Sequence, residues 1–205
     1  MSEKITPTVH WLRQSGRTAV CFLDQTLLPQ QERLVECRDI GTLSAAIERL
    51  QIRGAPALGV AGAYGVALAA WNCDAMRVDQ LVGEVREAAE RLRRTRPTAI
   101  NLGWAIDRML ATGLERLNDM QAIRERLLAE AEAILAEDLE MGRKMAQAGA
   151  PLVAEGANLI THCHTGPLAT GGYGTALGVL LAAHRGESGF TFGWTRRGRC
   201  CRARG

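Results

Sequence analysis

The stretch from Gly54 to Cys73 carries no charged residue and consists mainly of Ala, Gly, Val and Leu. Pro56 fits the first turn of a helix, because its missing N–H would have no partner there. A helix without a charged face is buried on nearly all sides, and its small residues let other helices approach closely. The sequence therefore predicts a central helix, enclosed by the rest of a helical domain.

The segments before the central helix predict a hairpin and one helix. Thr8 to Gln14 and Arg17 to Asp24 alternate apolar and polar residues around Ser15-Gly16, which is typical of a β-hairpin. We expect four of these side chains to face inward: His10, Leu12, Val20 and Phe22. A helix capped by Thr42 follows, with apolar residues at a spacing of three to four.

Three more helices are predicted after the central one. The first covers Val78 to Arg94 and is stopped by Pro97, and the second covers Thr98 to Leu110. In the second, we expect the core to receive Ile100, Trp104 and Met109. The third runs from Asp119 to Gln147, with an apolar stripe that includes Leu127, Leu128, Ile134, Leu135 and Met141. Its length predicts that it spans or links two lobes of the protein.

The stretch from Asn158 to Thr175 predicts a buried strand, a glycine-rich loop and then a helix. Cys163 lies between the strand and the helix, where backbone N–H groups and the helix dipole favour an anion. That anion is either the thiolate itself or a ligand phosphate. The alternative is an inert core thiol, since cysteine is among the most buried residue types.

Arg53 stands just before the central helix, and this position is typical of a phosphate site. The alternative is a solvent-exposed loop arginine. Two other sites are disfavoured. Gly172 to Gly178 has one residue too many for a dinucleotide fingerprint and lacks the later acidic residue. His162 and His164 flank Cys163, but no second cluster supplies further metal ligands.

Composition indicates a cytoplasmic protein. No apolar run is long enough to span a bilayer, and the first residues lack the apolar region of a signal peptide. The six cysteines are scattered and form no zinc spacing, which favours free thiols. The net charge of +3 comes from residues 186–205, which hold five arginines and one glutamate. A basic tail is typical of polyanion binding, but we predict neither a nucleic-acid nor a membrane partner.

The predicted fold class is α/β in two parts. Residues 1–148 form the hairpin and helical domain, and residues 149–205 form the start of a Rossmann-like parallel-sheet domain. We expect this second part to be incomplete, with about one strand and one helix. Because such a unit cannot cover its sheet faces, we predict that the chain is poorly stable and inactive by itself.

Four motifs together resemble one family. They are Leu23-Asp-Gln-Thr-Leu-Leu-Pro29, Ile52-Arg-Gly-Ala-Pro-Ala57, Arg96-Pro-Thr-Ala-Ile-Asn101, and Thr161-His-Cys-His-Thr-Gly166 with Tyr173-Gly-Thr-Ala-Leu-Gly178. They resemble the methylthioribose-1-phosphate isomerases of methionine salvage, within the wider translation initiation factor 2B family. The resemblance extends from about residue 10 to residue 184.

The resemblance implies an aldose–ketose isomerisation of a phosphorylated sugar that needs no redox cofactor and no metal. It implies substrate contacts from Arg53, Gly54, Ala55 and Arg96, a catalytic role for Cys163, and a homodimer. The family's acid partner is an aspartate in a later strand–loop unit, followed by a substrate-binding Asn-Lys pair, and neither is found here. Two alternatives stay open: another isomerase of the family, such as ribose-1,5-bisphosphate isomerase, or a non-catalytic regulatory subunit.

The resemblance stops abruptly after Arg185. We hypothesise that residues 186–205 are read in a shifted frame, because the shifted codons permit a sequence similar to the family's next strand. Resequencing the codons for Arg185 to Gly189 tests this hypothesis, and an intact frame would contradict it. The alternative is a genuine arginine-rich tail, which would give a salt-dependent affinity for nucleic acid.

Overall fold

The computed structural model describes residues 7–14, 17–114, 119–186, 191–196 and 199–204. The strands are β1 (Val9–Gln14), β2 (Arg17–Leu23), β3 (Leu34–Cys37), β4 (Asn158–His162), β5 (Thr191–Arg196) and β6 (Arg199–Arg204). The helices are α1 (Ile40–Glu48), α2 (Ala55–Asn72), α3 (Val78–Thr95), α4 (Ile100–Gly113), α5 (Met120–Gly149) and α6 (Ala176–Arg185). Within these ranges, none of the helices combines the length and the apolar character needed to cross a membrane.

Helix α2 lies at the centre of the first region, as the charge-free stretch predicts. Most of its residues are buried, and it packs against α3, α4, α5 and the first two strands. The small residues allow this close approach. A Cβ added to Gly62, for example, would lie only 2.6 Å from the Cδ1 atom of Leu102 on α4. The helix therefore organises the large core of the protein.

The first three strands form an antiparallel sheet in the order β1-β2-β3. The hairpin prediction is confirmed, but its inward residues on β1 are wrong by one position. Val9 is opposite Phe22 and Trp11 is opposite Val20, so these residues share the face toward the core. His10 and Leu12 point to the other face, because side chains alternate along a strand.

Helices α3 and α5 have nearly the predicted bounds, whereas α4 buries a different face. Ile100 is the first residue of α4 and is 84% exposed, and Trp104 is 49% exposed. The buried face carries Leu102, Ile106 and Met109, whose spacing of three to four residues defines the inner side. Met109 was predicted correctly, and the expectations for Ile100 and Trp104 were wrong. Met141 of α5 is also exposed.

The second region begins after α5 and has its own small sheet. Helix α5 packs against α2 and α4 of the first region and against α6 of the second, so it links the two regions as predicted. Strand β4 pairs in parallel with β5, and β5 pairs antiparallel with β6. The expectation of one strand and one helix was wrong, since β5 and β6 add two strands.

The sheet of the second region is mixed, with parallel pairing only between β4 and β5. Strand β4, helix α6 and strand β5 form a βαβ unit. Among its side chains whose burial is described, Leu180 and Ala183 form a buried apolar cluster with a few half-buried apolar neighbours. The Rossmann-like assignment, the domain boundary and the shifted-frame origin of residues 186–205 stay predictions.

Candidate active site

The five residues predicted to form the site line one cleft of about 510 Å³ between the two regions. Arg53 lies in the loop before α2, and Gly54 and Ala55 begin that helix. Arg96 ends α3, and Cys163 directly follows β4. Residues that are up to 110 positions apart in sequence are therefore neighbours, which fits one binding site. Their individual roles stay predictions.

Arg53 is held by the loop that precedes it. The side chain of Gln51 donates to the Asp24 carboxylate over 2.6 Å, and the backbone carbonyl of Gln51 accepts the backbone N–H of Gln25 at 3.0 Å. Ile52 anchors the loop in the core. The Nε atom of Arg53 is buried and has no hydrogen-bond partner among the described residues. A buried donor without a partner costs free energy, and this favours a ligand that would accept its hydrogen.

Asp24 is the buried anchor of this loop. Its carboxylate accepts hydrogen bonds from the N–H of Thr26 at 2.9 Å, the hydroxyl of Thr26 at 2.6 Å, and the amide of Gln51. Burial alone would raise the pKa of Asp24, but these hydrogen bonds outweigh burial and lower it. The group is therefore a charged structural anchor, and not a proton donor for the cleft.

Gly54 brings the two regions into direct contact. Its φ is +98°, and a Cβ at this position would lie 2.3 Å from both the Cα and the carbonyl oxygen of Ala169. Only glycine fits such a contact. Gly54 is the N-cap of α2, and no side chain caps that end. The positive end of the helix dipole therefore opens into the cleft, beside Arg53.

Arg96 completes the cationic side of the cleft. It is the C-cap residue of α3, and its carbonyl accepts the N–H of Ala99 at 2.9 Å. Within the described ranges, neither Arg53 nor Arg96 forms an ion pair with a carboxylate. Two guanidinium groups without a partner carboxylate are suited to a phosphate dianion.

Cys163 is exposed and has a φ of +68°. This conformation costs a non-glycine residue about 1–3 kcal/mol, and such strain is concentrated at functional sites. The alternative of a buried thiol is excluded for this residue, whereas its catalytic role stays a prediction. That alternative does describe Cys37, where burial raises the pKa to about 12. In the described part of the chain, no group of three or more His, Cys, Asp or Glu is placed to hold a metal ion.

The glycine-rich loop after Cys163 is fixed by side chains. The hydroxyl of Thr170 accepts the N–H groups of Gly172 at 3.2 Å and Gly174 at 2.9 Å. Asp138 on α5 accepts the N–H of Gly171 at 2.5 Å. Burial raises the pKa of Asp138, and the hydrogen bond from Gly171 only partly opposes this. The loop leads to Thr175, the N-cap of α6, which also lines the cleft.

A second cavity of about 430 Å³ adjoins the cleft. Arg53, Cys163, His164 and Ala169 line both spaces, so they form the border between them. We call the space with both arginines the cationic compartment. The other is the apolar compartment, whose wall includes Pro167, Leu168 and Leu177.

The sequence prediction missed several residues of the site. They are Gln25, Pro56, Thr161, Thr165, Leu168, Thr170, Thr175 and Leu177. Most lie within the four motifs or next to them, so a search of each motif's full length would have included them. Leu168 and Thr170 lie outside the quoted motifs, between Gly166 and Tyr173, so the motifs give no signal for these two residues.

A family model described as "Initiation factor 2 subunit family" matches residues 51–192. The chain is 46% identical over 175 residues to the methylthioribose-1-phosphate isomerase of Desulforudis audaxviator, covering 85% of this chain and 49% of that protein. It is 49% identical over 166 residues to the isomerase of the same name from Heliobacterium modesticaldum, covering 80% and 48%. The chain thus spans about half the length of the curated relatives it matches.

Two solved structures share this fold. One is 5-methylthioribose 1-phosphate isomerase from Pyrococcus horikoshii, with a TM-score of 0.83, 33% identity, and coverage of 90% of this chain and 51% of that one. The other is translation initiation factor eIF-2B, subunit delta, from A. fulgidus, with a TM-score of 0.81, 39% identity, and coverage of 91% and 53%. The similarity therefore includes both an isomerase and a translation initiation factor subunit.

Proposed function

Because this chain belongs to the initiation factor 2 subunit family, we propose that it supplies the substrate cleft of a methionine-salvage isomerase. The reaction converts 5-methylthioribose 1-phosphate into 5-methylthioribulose 1-phosphate. One observation carries the proposal: two arginines without carboxylate partners, an uncapped helix N-terminus and an exposed cysteine line a single cleft. Relatives that are 46% and 49% identical and carry this enzyme name support it.

The cationic compartment fits the 1-phosphate. Arg53 and Arg96 supply charged donors, and the start of α2 at Gly54 and Ala55 supplies backbone donors with a favourable dipole. The partnerless Nε of Arg53 would gain an acceptor when the phosphate binds. The binding role therefore belongs to the first region.

Cys163 on the border of the compartments fits the reacting carbons. In the isomerisation, the bond from C1 to the ring oxygen breaks, and the hydrogen on C2 is transferred to C1. The hydroxyl proton of O2 ends on the former ring oxygen. Oxidation at C2 balances reduction at C1, so atoms and electrons balance. A thiol beside these carbons can carry a proton in such a step, as the first of two acid–base groups.

A second candidate function is a regulatory subunit without catalytic activity. The 39% identity to translation initiation factor eIF-2B, subunit delta, from A. fulgidus favours it. Such a protein needs no thiol at the cleft, whereas this chain keeps an exposed and strained Cys163. Sugar-phosphate binding without turnover would support the regulatory subunit.

The test is turnover by a hybrid protein in which residues 1–185 of this chain precede the remainder of the Heliobacterium modesticaldum relative. We expect the hybrid to convert 5-methylthioribose 1-phosphate. Nuclear magnetic resonance of the product measures this conversion. A folded hybrid that binds the substrate without converting it would contradict the proposal. A parallel assay with ribose 1,5-bisphosphate distinguishes the proposed activity from that of a ribose-1,5-bisphosphate isomerase.

Two further predictions accompany this function. By resemblance, the protein is a homodimer and acts in the cytoplasm. Sedimentation of the hybrid at several concentrations tests the first, and fractionation of cells that contain the protein tests the second. A hybrid that stays monomeric at all concentrations would contradict the predicted dimer.

A further inference from the structure

We infer that Asp138 of α5 is a positioning residue for the proposed reaction. Its carboxylate holds the glycine-rich loop that follows Cys163, and it thereby fixes the side of the cleft that the second region supplies. This inference rests on the proposed function and deepens it, because it adds a residue from outside the cleft. Asp138 lines neither compartment, so it acts through the loop and does not touch the substrate.

The backbone of Gly171 is held at both of its polar groups. Asp138 accepts the N–H of Gly171 at 2.5 Å, and the carbonyl of Gly171 accepts the N–H of Thr8 at 3.2 Å. A hydrogen bond to an ionised acceptor is roughly twice as strong as one between neutral groups. Gly171 is therefore held between α5 and the segment before β1, and Asp138 supplies the stronger of the two contacts.

The loop lies so close to α5 that two positions leave no room for a Cβ atom. A Cβ on Gly171 would lie 2.8 Å from both the Oδ2 atom of Asp138 and the Cδ1 atom of Leu135. A Cβ on Gly142 would lie 2.9 Å from the carbonyl oxygen of Gly174. Asp138 and Gly142 are four residues apart, so they lie on the same face of α5. This face of the helix is therefore the support on which the loop rests.

Hydrogen bonds within the loop connect Gly171 to the turn that carries Cys163. The buried hydroxyl of Thr170 accepts two N–H groups of the loop, and the N–H of Thr175 donates to the carbonyl of Thr165 at 2.8 Å. Thr165 is two residues after Cys163 in the chain. The position of the thiol thus depends on the position of the loop, and the loop is held on α5 by Asp138.

The same hydrogen bonds determine what the loop contributes to the site. The backbone N–H groups of four of its residues have partners within the protein; these residues are Gly171, Gly172, Gly174 and Thr175. Because these donors are engaged, the loop acts as a support for Cys163 and offers few amides to an anion. Catalysis depends steeply on such placement, since a displacement of about 1 Å can lower a rate by roughly 100-fold.

The test compares Asp138→Ala with Asp138→Asn in the hybrid protein. We expect Asp138→Ala to lower kcat by roughly 10- to 100-fold, because Cys163 is no longer held in place beside the substrate. The dissociation constant of the sugar phosphate, measured by calorimetry, should change little, because the arginines and the start of α2 are untouched. Asp138→Asn keeps an oxygen that can accept the N–H of Gly171, so it should recover most of the rate.

Glu130→Gln is the matched control. Glu130 is a carboxylate on the same helix with a side chain that is 19% exposed, and it pairs with Arg108 of α4 at 2.5 Å. It lines neither compartment. This variant should melt at a lower temperature and keep its kcat, which separates a loss of stability from a loss of positioning.

Hydrogen exchange in the 205-residue chain tests the contact without substrate. The amide of Gly171 should exchange roughly tenfold faster in Asp138→Ala than in the unchanged chain. An unchanged exchange rate, an unchanged kcat in folded Asp138→Ala, or an equal loss of kcat in Glu130→Gln overturns the inference while the proposed function stands. If the hybrid with Asp138 intact converts no substrate, the proposed function fails and the inference fails with it.

Discussion

The two regions contribute opposite properties to one cleft. The first has a large core around α2, in which Leu43, Ile47 and Leu68 are completely buried. Among the side chains of the second region whose burial the structure describes, the apolar cluster holds few residues, and Ile160 on β4 is 73% exposed. The well-packed region supplies the arginines and the start of α2, and the sparsely packed region supplies Cys163. Stability and the proposed chemistry are thus in different parts of the chain.

The second region takes its orientation from contacts with the first. Gly54 touches the backbone of Ala169, and the side chains of Thr8 and Gln25 donate to carbonyls of the short 3-10 helix Pro167–Ala169, which lies between β4 and α6. Helix α5 packs against α6. The comparison teaches that a well-packed region can position a loop of its neighbour through a few direct contacts. Four substitutions can separate these contributions.

Cys163→Ser should have the largest effect, and only on turnover. Removing an acid–base group lowers kcat by about 10²- to 10⁴-fold, and we expect this loss in the hybrid protein. The affinity for the sugar phosphate should change little, because the arginines of the first region are untouched. Steady-state rates and calorimetry measure the two quantities. Cys73→Ser is the control, since Cys73 lines neither compartment, and full activity of Cys163→Ser would contradict the assignment.

Gly54→Ala tests the contact between the regions. The new Cβ would overlap the Ala169 backbone and force an unfavourable φ, so we expect a loss of about 2–3 kcal/mol in the free energy of unfolding. Binding of the sugar phosphate should weaken as well. The control is Gly83→Ala on α3, where a Cβ meets nothing within 4 Å. It should raise the free energy of unfolding by about 0.5–1 kcal/mol. Equal denaturation midpoints for the two variants would refute this account.

Arg53→Met tests the anion site of the first region. Hydrogen bonds to charged groups contribute about 1.5–3 kcal/mol, so the affinity for the sugar phosphate should fall by roughly 10- to 100-fold. Titration calorimetry with this chain measures the change. Arg49→Met removes a charge from an exposed residue that lines neither compartment, and it should bind as the unchanged chain does. A similar loss in both variants would mean that only overall charge matters.

Asp24→Asn should have the smallest effect, and its size depends on pH. In the folded protein, the pKa of Asp24 lies below its ordinary value of 3.8. Its ionised form therefore stabilises the fold above pH 3.8, and this contribution is lost as the pH falls through the folded-state pKa. At neutral pH, we expect the variant to lose about 1 kcal/mol of unfolding free energy. Urea denaturation between pH 2 and 7 measures it. The exposed Asp74→Asn variant is the comparison, and an equal effect there would contradict the anchor role.

The sequence predicted the elements better than it predicted their faces. Because no residue from Gly54 to Cys73 is charged, α2 has no charged face to expose to water. Its central position could therefore be predicted directly. Trp104 and Ile100 were assigned to the core by hydrophobicity alone, but the inner face of α4 is set by Leu102, Ile106 and Met109. His10 was misplaced because the register of the hairpin depends on the pairing of the two strands.

The motifs predicted individual residues of the candidate site, but they did not predict its division into a cationic and an apolar compartment. No local pattern places Leu168 beside Leu177 or gives them a compartment separate from Arg96. That separation arises from tertiary contacts such as the one between Gly54 and Ala169. The exposure of Cys163 likewise needed the fold, since cysteine alone favours burial.

The most direct test of one shared cleft is the alkylation rate of Cys163 in this chain, followed by peptide mass spectrometry. Saturating 5-methylthioribose 1-phosphate should slow the reaction of Cys163 with iodoacetamide. Cys73, which lines neither compartment, should react at an unchanged rate. The protection should disappear in the Arg53→Met variant at the same ligand concentration. If the sugar phosphate binds by calorimetry and Cys163 reacts as fast as before, the arginines and the cysteine do not share one site.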